Sequence, residues 1–413
     1  MEIKPILSSL LRNRTGPLLV AVQVALSLAI LANALHIVAV RQAVVTRPSG
    51  IEREHDVFHV RVADLRGGGT FNEILAGQKH QLELLRAIPG VESVAQTNQV
   101  PLSQSGNNTG LGTDRKQIRT TTGASFFVTP HSLIRTWELK LVEGRDFLPT
   151  EVLDVDVKNS TEQSKIAIIT QPLAKKLWPE ASSYVGRTFY FGTGDKAEAA
   201  RVMGVVERLQ STGAELGERG EMSVVMPMRR VSEPRAMYTL RAEPGQRDRV
   251  MQQVEEALRR DANNHVMVRP KTFDKDRQDR YRADRGLAWM LVTVSVLLML
   301  VTASGIVGMA SLWVTQRKKQ IGVRRALGAR RVDILRYFIL ENVMITSTGV
   351  AAGLLGALAL NHLLVTTLEL ARLPACYLIA GAGIFLALGV AAVYGPAWRA
   401  ASISPATATR GVT

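Results

Sequence analysis

Apolar positions gather into four long runs, and the chain between them is patterned for water. Residues 16–40 form the first run, 287–314 and 343–365 contain no charged side chain, and the fourth covers about 375–393. At 1.5 Å of rise per residue, a run of about 20 residues crosses a hydrocarbon core of about 30 Å as a helix. Transmembrane helices are therefore expected at 16–40, 287–314, 337–366 and 375–394. The first run is too long for a signal-peptide core and has no small-x-small cleavage site before a clear stop, so it reads as an uncleaved span. Ahead of it, Ile3, Ile6, Leu7, Leu10 and Leu11 recur at helical spacing among polar residues, which predicts an amphipathic interfacial helix over 1–15.

Within the spans, small residues recur every fourth position. Ala21, Ala25 and Ala29 in the first, Ser304 and Gly308 in the second, and Gly349 and Gly353 in the third offer faces on which helix backbones approach closely. The first two sets are candidate contact faces for helix packing or dimerisation. Gln23, Asn33 and His36 would be costly against lipid and are expected to face protein. Trp289 and Trp313 are 24 positions apart, about 36 Å along a helix, which suits two aromatic belts.

Residues 41–286 have the mixed pattern of a water-exposed domain. A strand from Asp56 to Val62, a helix from Gln78 to Ala87 and a strand from Val91 to Thr97 make one β-α-β unit. Met237 to Arg241, Arg247 to Arg260 and His265 to Val268 make a second. The expectation is an α/β subdomain whose halves, about 50–103 and 222–270, bracket a β-rich insertion at 104–221. A charged helical stalk at 271–286 leads to the second span. The fold class is thus an α+β membrane protein: four transmembrane helices with a large extracytoplasmic α/β plus β-rich domain inserted between helices 1 and 2.

Charge sets the orientation. The net charge is +15, and Arg317, Lys318, Lys319, Arg324, Arg325, Arg330, Arg331 and Arg336 crowd the 315–336 loop. Short loops dense in Lys and Arg stay cytoplasmic, which places that loop, both chain ends and the 395–413 tail inside. Membrane lipid, with its anionic headgroups, accounts for the basic excess, and no aromatic-basic interleaving points to nucleic acid.

Candidate chemistry is sparse. No phosphate-binding Gly-x-x-x-x-Gly-Lys-Ser/Thr loop, Gly-x-Ser-x-Gly elbow or carboxylate pair stands out, so the chain reads as a non-catalytic subunit. His55 and His59 lie near Glu52, Glu54 and Asp56, but residues four apart on a strand are about 13 Å apart, too far to share a metal. The lone Cys376 excludes an internal disulfide.

The run from Gln320 to Ala329 reads Q-I-G-V-R-R-A-L-G-A and is followed by Asp333-Ile-Leu and Glu341. It resembles the inner-loop motif of MacB/FtsX-type ABC transporter permeases, the type VII group. The L-L-R-A-I-P-G-V-E-S-V stretch beginning at Leu84, the Gly144-Arg-Asp-Phe turn and the Pro396-Ala-Trp-Arg-Ala-Ala ending, with Pro405, are similar to further landmarks of MacB-like proteins. Gln320 stands where the family has an acidic residue, and Arg330 where relatives often have Ser or Thr.

The resemblance implies ATPase-coupling residues Gln320, Ile321, Gly322, Arg324, Arg325, Ala326, Leu327, Gly328 and Ala329. It implies an ABC ATPase on a separate chain, binding ATP and Mg, and a second permease in a homodimer or paralogue heterodimer. It also implies export of peptides, lipopeptides or amphipathic drugs by mechanotransmission, with a MacA-like adaptor and an outer-membrane channel. FtsX-like signalling or cell-wall hydrolase regulation, and lipoprotein release, are the alternatives within the same architecture.

Overall fold

The computed structural model describes residues 15–215, 217–368 and 372–402; the expected interfacial helix, apart from Thr15, and the end of the tail lie outside them. Helix α1, Thr15–Val45, is followed by β1 (Val57–Asp64), α2 (Phe71–Arg86) and β2 (Val91–Gln96). The next strands are β3 (Asn108–Gly112) and β4 (Thr122–Thr129), then helix α3 (Leu133–Trp137), β5 (Leu141–Gly144), β6 (Leu153–Asp156) and β7 (Ile166–Thr170). Helix α4 (Gln171–Leu177), β8 (Thr188–Phe191), β9 (Glu198–Val206) and β10 (Ser223–Val231) complete that stretch. The chain continues through β11 (Arg235–Ala242), α5 (Arg247–Asp261) and β12 (Val266–Thr272). It ends in α6 (Phe273–Gln316), α7 (Lys318–Ala326), α8 (Arg331–Leu368) and α9 (Ala375–Ala401).

Two compact units result, one of residues up to Gln42 and from Asp284 onward, the other Ala43–Ala283. In the first, α1, α6, α8 and α9 are long and apolar enough to cross a membrane. Val24, Leu28, Ile306, Ile345, Phe385 and Val393 form their common core. The fourth helix does not stop at 394. It continues through Pro396 to Ala401, which neighbouring helices and local adjustment permit for proline in membrane helices.

In Ala43–Ala283, β12, β1, β11 and β2 lie side by side in that order, each pair antiparallel. With α2 and α5 on one face this is a ferredoxin-like split β-α-β pair. Phe58, Val60, Tyr238, Leu240, Val266 and Val268 alternate along the strands to meet Leu82, Leu85, Val250, Val254 and Leu258 from the helices, the period-2 and period-3.6 patterns expected of such a layer. Helix α2 begins seven residues earlier than expected. Thr70 and Glu73 form a capping box there, with the Thr70 N–H donating to Glu73 Oε2 at 2.8 Å.

The insertion is larger than expected at its far end. Strand β10 lies outside the split pair, pairing with β4, β7 and β6, so the second α/β half starts at β11 instead of residue 222. Strands β4, β3, β8, β9, β7 and β10 pair successively, and the β10–β4 pairing closes the ring. Inside it Leu111, Phe126, Phe189, Val202, Val224 and Met226 are buried.

Trp137 ties these parts together. Its buried ring meets Phe127 at 5.9 Å and Phe273 at 6.3 Å, edge to face, and its indole N–H donates to Thr239 Oγ1 at 2.8 Å. The start of α6 is fastened to the same unit. Buried Asp276 bonds the His59 ring at 2.6 Å and Lys271 at 2.7 Å, and Arg277 pairs with Glu54 at 2.8 Å. His59 therefore serves the junction between strand and stalk.

His131 gives this unit a pH dependence. Its Nδ1 accepts the Gln96 N–H at 3.1 Å. Burial, with Arg229 and Arg86 nearby, pushes its pKa from 6.5 down to about 3. The unfolded chain takes up a proton near pH 6.5 that the folded chain refuses until far lower, so this contribution to stability is whole above that pH and lost as pH falls. Between pH 6.5 and 5 the unfolding equilibrium should shift toward unfolding by up to about tenfold per pH unit on this account. Denaturant titrations of wild type and His131→Gln across that window should diverge, with the variant flatter. Parallel curves would contradict the assignment.

Candidate functional site at the basic turn

Helix α7 is held by one ion pair and one apolar face. Arg317, just before it, reaches both oxygens of buried Glu341 on α8 at 3.0 and 3.1 Å and lies 5.6 Å over the Trp313 ring. Removing one member of such a pair leaves the other charge uncompensated. Ile321 is buried with Val314, Ile334, Phe338, Ala397 and Ala400. Gly322 is buried beside it.

The other side of α7 is open. Gln320, Val323, Arg324 and Leu327 are exposed, at positions i, i+3, i+4 and i+7 of one helical face. Val323 is 51% exposed and Leu327 83%, so two apolar side chains project among basic ones at the end of the turn. Arg324 lies 5.3 Å over the Tyr337 ring. Arg325 is half-buried and donates to the Ala401 carbonyl at 3.3 Å.

The expected coupling residues thus divide by role. Gln320, Arg324, Ala326, Leu327 and Gly328 are exposed, Ile321 and Gly322 face inward, and Arg325 and Ala329 are half-buried. Val323 was not among the expected coupling residues, and Arg317 was expected only as part of the basic loop; the i, i+3, i+4, i+7 spacing from Gln320 was the available signal for Val323.

Both ends of the turn are specified by the chain itself. Gly328 has φ +98°, a conformation that costs other residues about 1–2 kcal/mol. Its N–H bonds the Arg325 carbonyl at 3.2 Å and the Ala329 N–H bonds the Arg324 carbonyl at 3.0 Å, the paired bonds of a Schellman stop. At the start of α8, the Arg330 N–H donates to Asp333 Oδ2 at 2.9 Å. Asp333 thus supplies the reciprocal half of a capping box in the absence of a Ser or Thr at 330.

The small-residue faces also divide. A Cβ at Gly349 would stand 2.7 Å from the Ala21 carbonyl, and one at Gly353 2.9 Å from that of Ala25. Asn33 donates to the Ala29 and Ala357 carbonyls at 2.9 and 3.1 Å. The alanine stripe is therefore occupied inside one chain, by α8, and is not a free dimer face. Ser304 and Gly308 are exposed and remain open to a partner. Gly349→Leu should force α1 and α8 apart and cost about 1–3 kcal/mol, whereas Ser304→Leu should leave the single chain's stability near wild type. Thermal unfolding of the solubilised chains checks this; equal midpoints for the two variants would contradict it.

Residues 292–405 match the family described as "FtsX-like permease C-terminal". The macrolide export ATP-binding/permease protein MacB of Agrobacterium fabrum is 28% identical over 360 residues, covering 83% of this chain and 51% of that protein. MacB of Bradyrhizobium diazoefficiens is 30% identical over 240 residues, 54% of this chain and 34% of that one. The pyoverdine export ATP-binding/permease protein PvdT of Pseudomonas fluorescens strain Pf0-1 is 37% identical over 134 residues, 32% of this chain and 20% of that one. The match thus spans about half the length of the Agrobacterium relative, and less of the others. Among solved structures, the periplasmic region of MacB from Actinobacillus actinomycetemcomitans aligns with 58% of this chain and 97% of its own, at 13% identity and a TM-score of 0.34.

Proposed function

We propose that this chain, an FtsX-like permease homologous to MacB, is the membrane subunit of an ABC exporter that converts ATP hydrolysis on one side of the membrane into movement of the inter-span domain on the other. The exposed face of α7 carries this reading. Gln320, Val323, Arg324 and Leu327 form a short amphipathic ridge of the kind that lies in a groove of a partner protein, and the Arg317–Glu341 pair and the Ile321 packing hold that ridge against the membrane helices. The density of Lys and Arg in the loop supports a cytoplasmic ridge by the positive-inside rule. There it meets an ATPase subunit that binds ATP and Mg, and the inter-span domain is periplasmic.

Helix α6 has no break between the fastened stalk at Asp276 and Arg277 and the turn that precedes α7, so a displacement at α7 has a covalent helical route to the stalk. Function as a dimer follows from the same reading, with Ser304 and Gly308 on a free face of α6. The named relatives export macrolides and pyoverdine; an amphipathic cargo such as a peptide, lipopeptide or drug, passed to an adaptor and an outer-membrane channel, fits the same class. The permease itself performs no hydrolysis.

Leu327→Asp alters only the exposed ridge, and Arg324→Glu changes the ridge together with the Tyr337 contact, so insertion should be retained in both while ATPase binding weakens by about tenfold or more, the scale of an interface hot spot. Gly328→Val should uncouple by misdirecting the end of the helix, leaving ATP hydrolysis by the complex at the level of the ATPase alone. Co-purification and ATP turnover of the reconstituted complex report both effects. Unchanged binding and turnover in all three variants would refute the coupling role.

A further inference from the structure

The face of the four-stranded sheet turned away from α2 and α5 is covered at one end and open at the other. At the covered end Lys271, His59 and Thr239 share one cross-strand row, and Thr239 receives the Trp137 indole N–H. Two positions along each strand, the next row is Arg269 on β12, Arg61 on β1 and Met237 on β11. These residues border an open cavity of about 420 Å³, whose lining from the β-ring side includes Met228 and Arg230. That volume lies in the range of small-molecule sites.

The charge arrangement is one-sided. Five arginines line this cavity, and no carboxylate does so among the described residues. Arg61 and Arg269 are directly opposed on adjacent strands, a placement that destabilises a sheet when the charges are alike. Both are exposed, as is Arg230, and none of the three has an ion-pair partner among the described residues. Two other arginines are committed. Arg235 pairs with Glu233 at 3.1 Å, while buried Arg229 donates to Gln96 Oε1 at 2.9 Å and Asp154 Oδ1 at 3.0 Å. The sheet thus gathers free guanidinium groups, which suit bidentate binding of carboxylate or phosphate. Met237 and Met267 add an adaptable apolar surface to the lining.

We propose that this cavity binds a small amphipathic anion, with its carboxylate or phosphate held by Arg61, Arg269 and Arg230 and its apolar body packed on Met237 and Met267. The bound anion relieves the repulsion between Arg61 and Arg269, so ligand binding and stability of the inter-span domain rise together. The inference goes beyond the export reading and does not depend on it. Binding is measured without an ATPase, so a failure here and a failure of coupling at α7 are separately visible.

The test is calorimetric titration of the full chain in phosphatidylcholine nanodiscs, with empty discs subtracted, using 2-naphthyl phosphate as probe. Inorganic phosphate supplies the charge without the apolar body, and 2-naphthyl glucoside the body without the charge. The probe should bind at least about tenfold more tightly than either and should raise the thermal midpoint of the wild-type chain. Arg61→Gln with Arg269→Gln should weaken it by about tenfold or more while raising the midpoint of the ligand-free chain, because the like-charge contact is gone. Arg115→Gln, away from the cavity, should change neither value. Equal affinity for the glucoside, unchanged probe binding in the double variant, or binding of an acidic peptide but not of the probe would each overturn the proposal.

Discussion

Hydrocarbon offers no partner to a backbone N–H or carbonyl, and the membrane unit is arranged around that constraint. Each of its four apolar segments is one long helix. Several polar groups within them are turned onto each other or onto backbone. Ser27 shares a hydrogen bond with Thr302 at 3.0 Å, Asn342 donates to the Gly389 carbonyl at 2.9 Å, and Asn33 bridges α1 to α8. Close approach, made possible by Gly349 and Gly353, takes the place of the hydrophobic drive that operates only in water. Formal charge is pushed to the ends of the helices, and the turn that holds α7 is almost entirely basic.

That turn combines a fixed side with a free one. Glu341 neutralises Arg317 where burial would otherwise make a single charge costly, and Ile321 and Gly322 face the helix ends. The Schellman stop at Gly328 and the Asp333 cap then allow two helices to meet across very few residues. What remains outward is a basic and apolar ridge whose Arg324 also lies over the Tyr337 ring of α8. Fastening at the opposite end of α6, through Asp276 and Arg277, follows the same logic in water: a charged helix end is held by specific partners instead of being left to solvent.

The four spans and the two β-α-β units were legible because each rests on local periodicity. The start of α2 was missed because the apolar pattern alone pointed seven residues later; the unused signal was Thr70 and Glu73, which carry the spacing of a capping box. Strand β10 was misplaced because an apolar strand does not announce which sheet it joins; ring closure with β4 is a long-range choice. The same limit hid the use of Ala21, Ala25 and Ala29, since a small-residue stripe looks alike whether its partner is α8 or another chain. The His59–Asp276 contact depends on how the start of α6 packs against β1, and the cross-strand row of Arg61 and Arg269 on register between distant strands; residue spacing contains neither.

The account's central claim is that the basic turn and the inter-span domain lie on opposite sides of the membrane, with the turn on the ATP side. Single cysteines at Lys319→Cys and Arg115→Cys, each in a Cys376→Ser background, can be challenged in spheroplasts with a membrane-impermeant maleimide. The account predicts that the position 115 cysteine reacts in intact spheroplasts and the position 319 cysteine only after permeabilisation. Labelling of both from the same side, or in the reverse order, would contradict it.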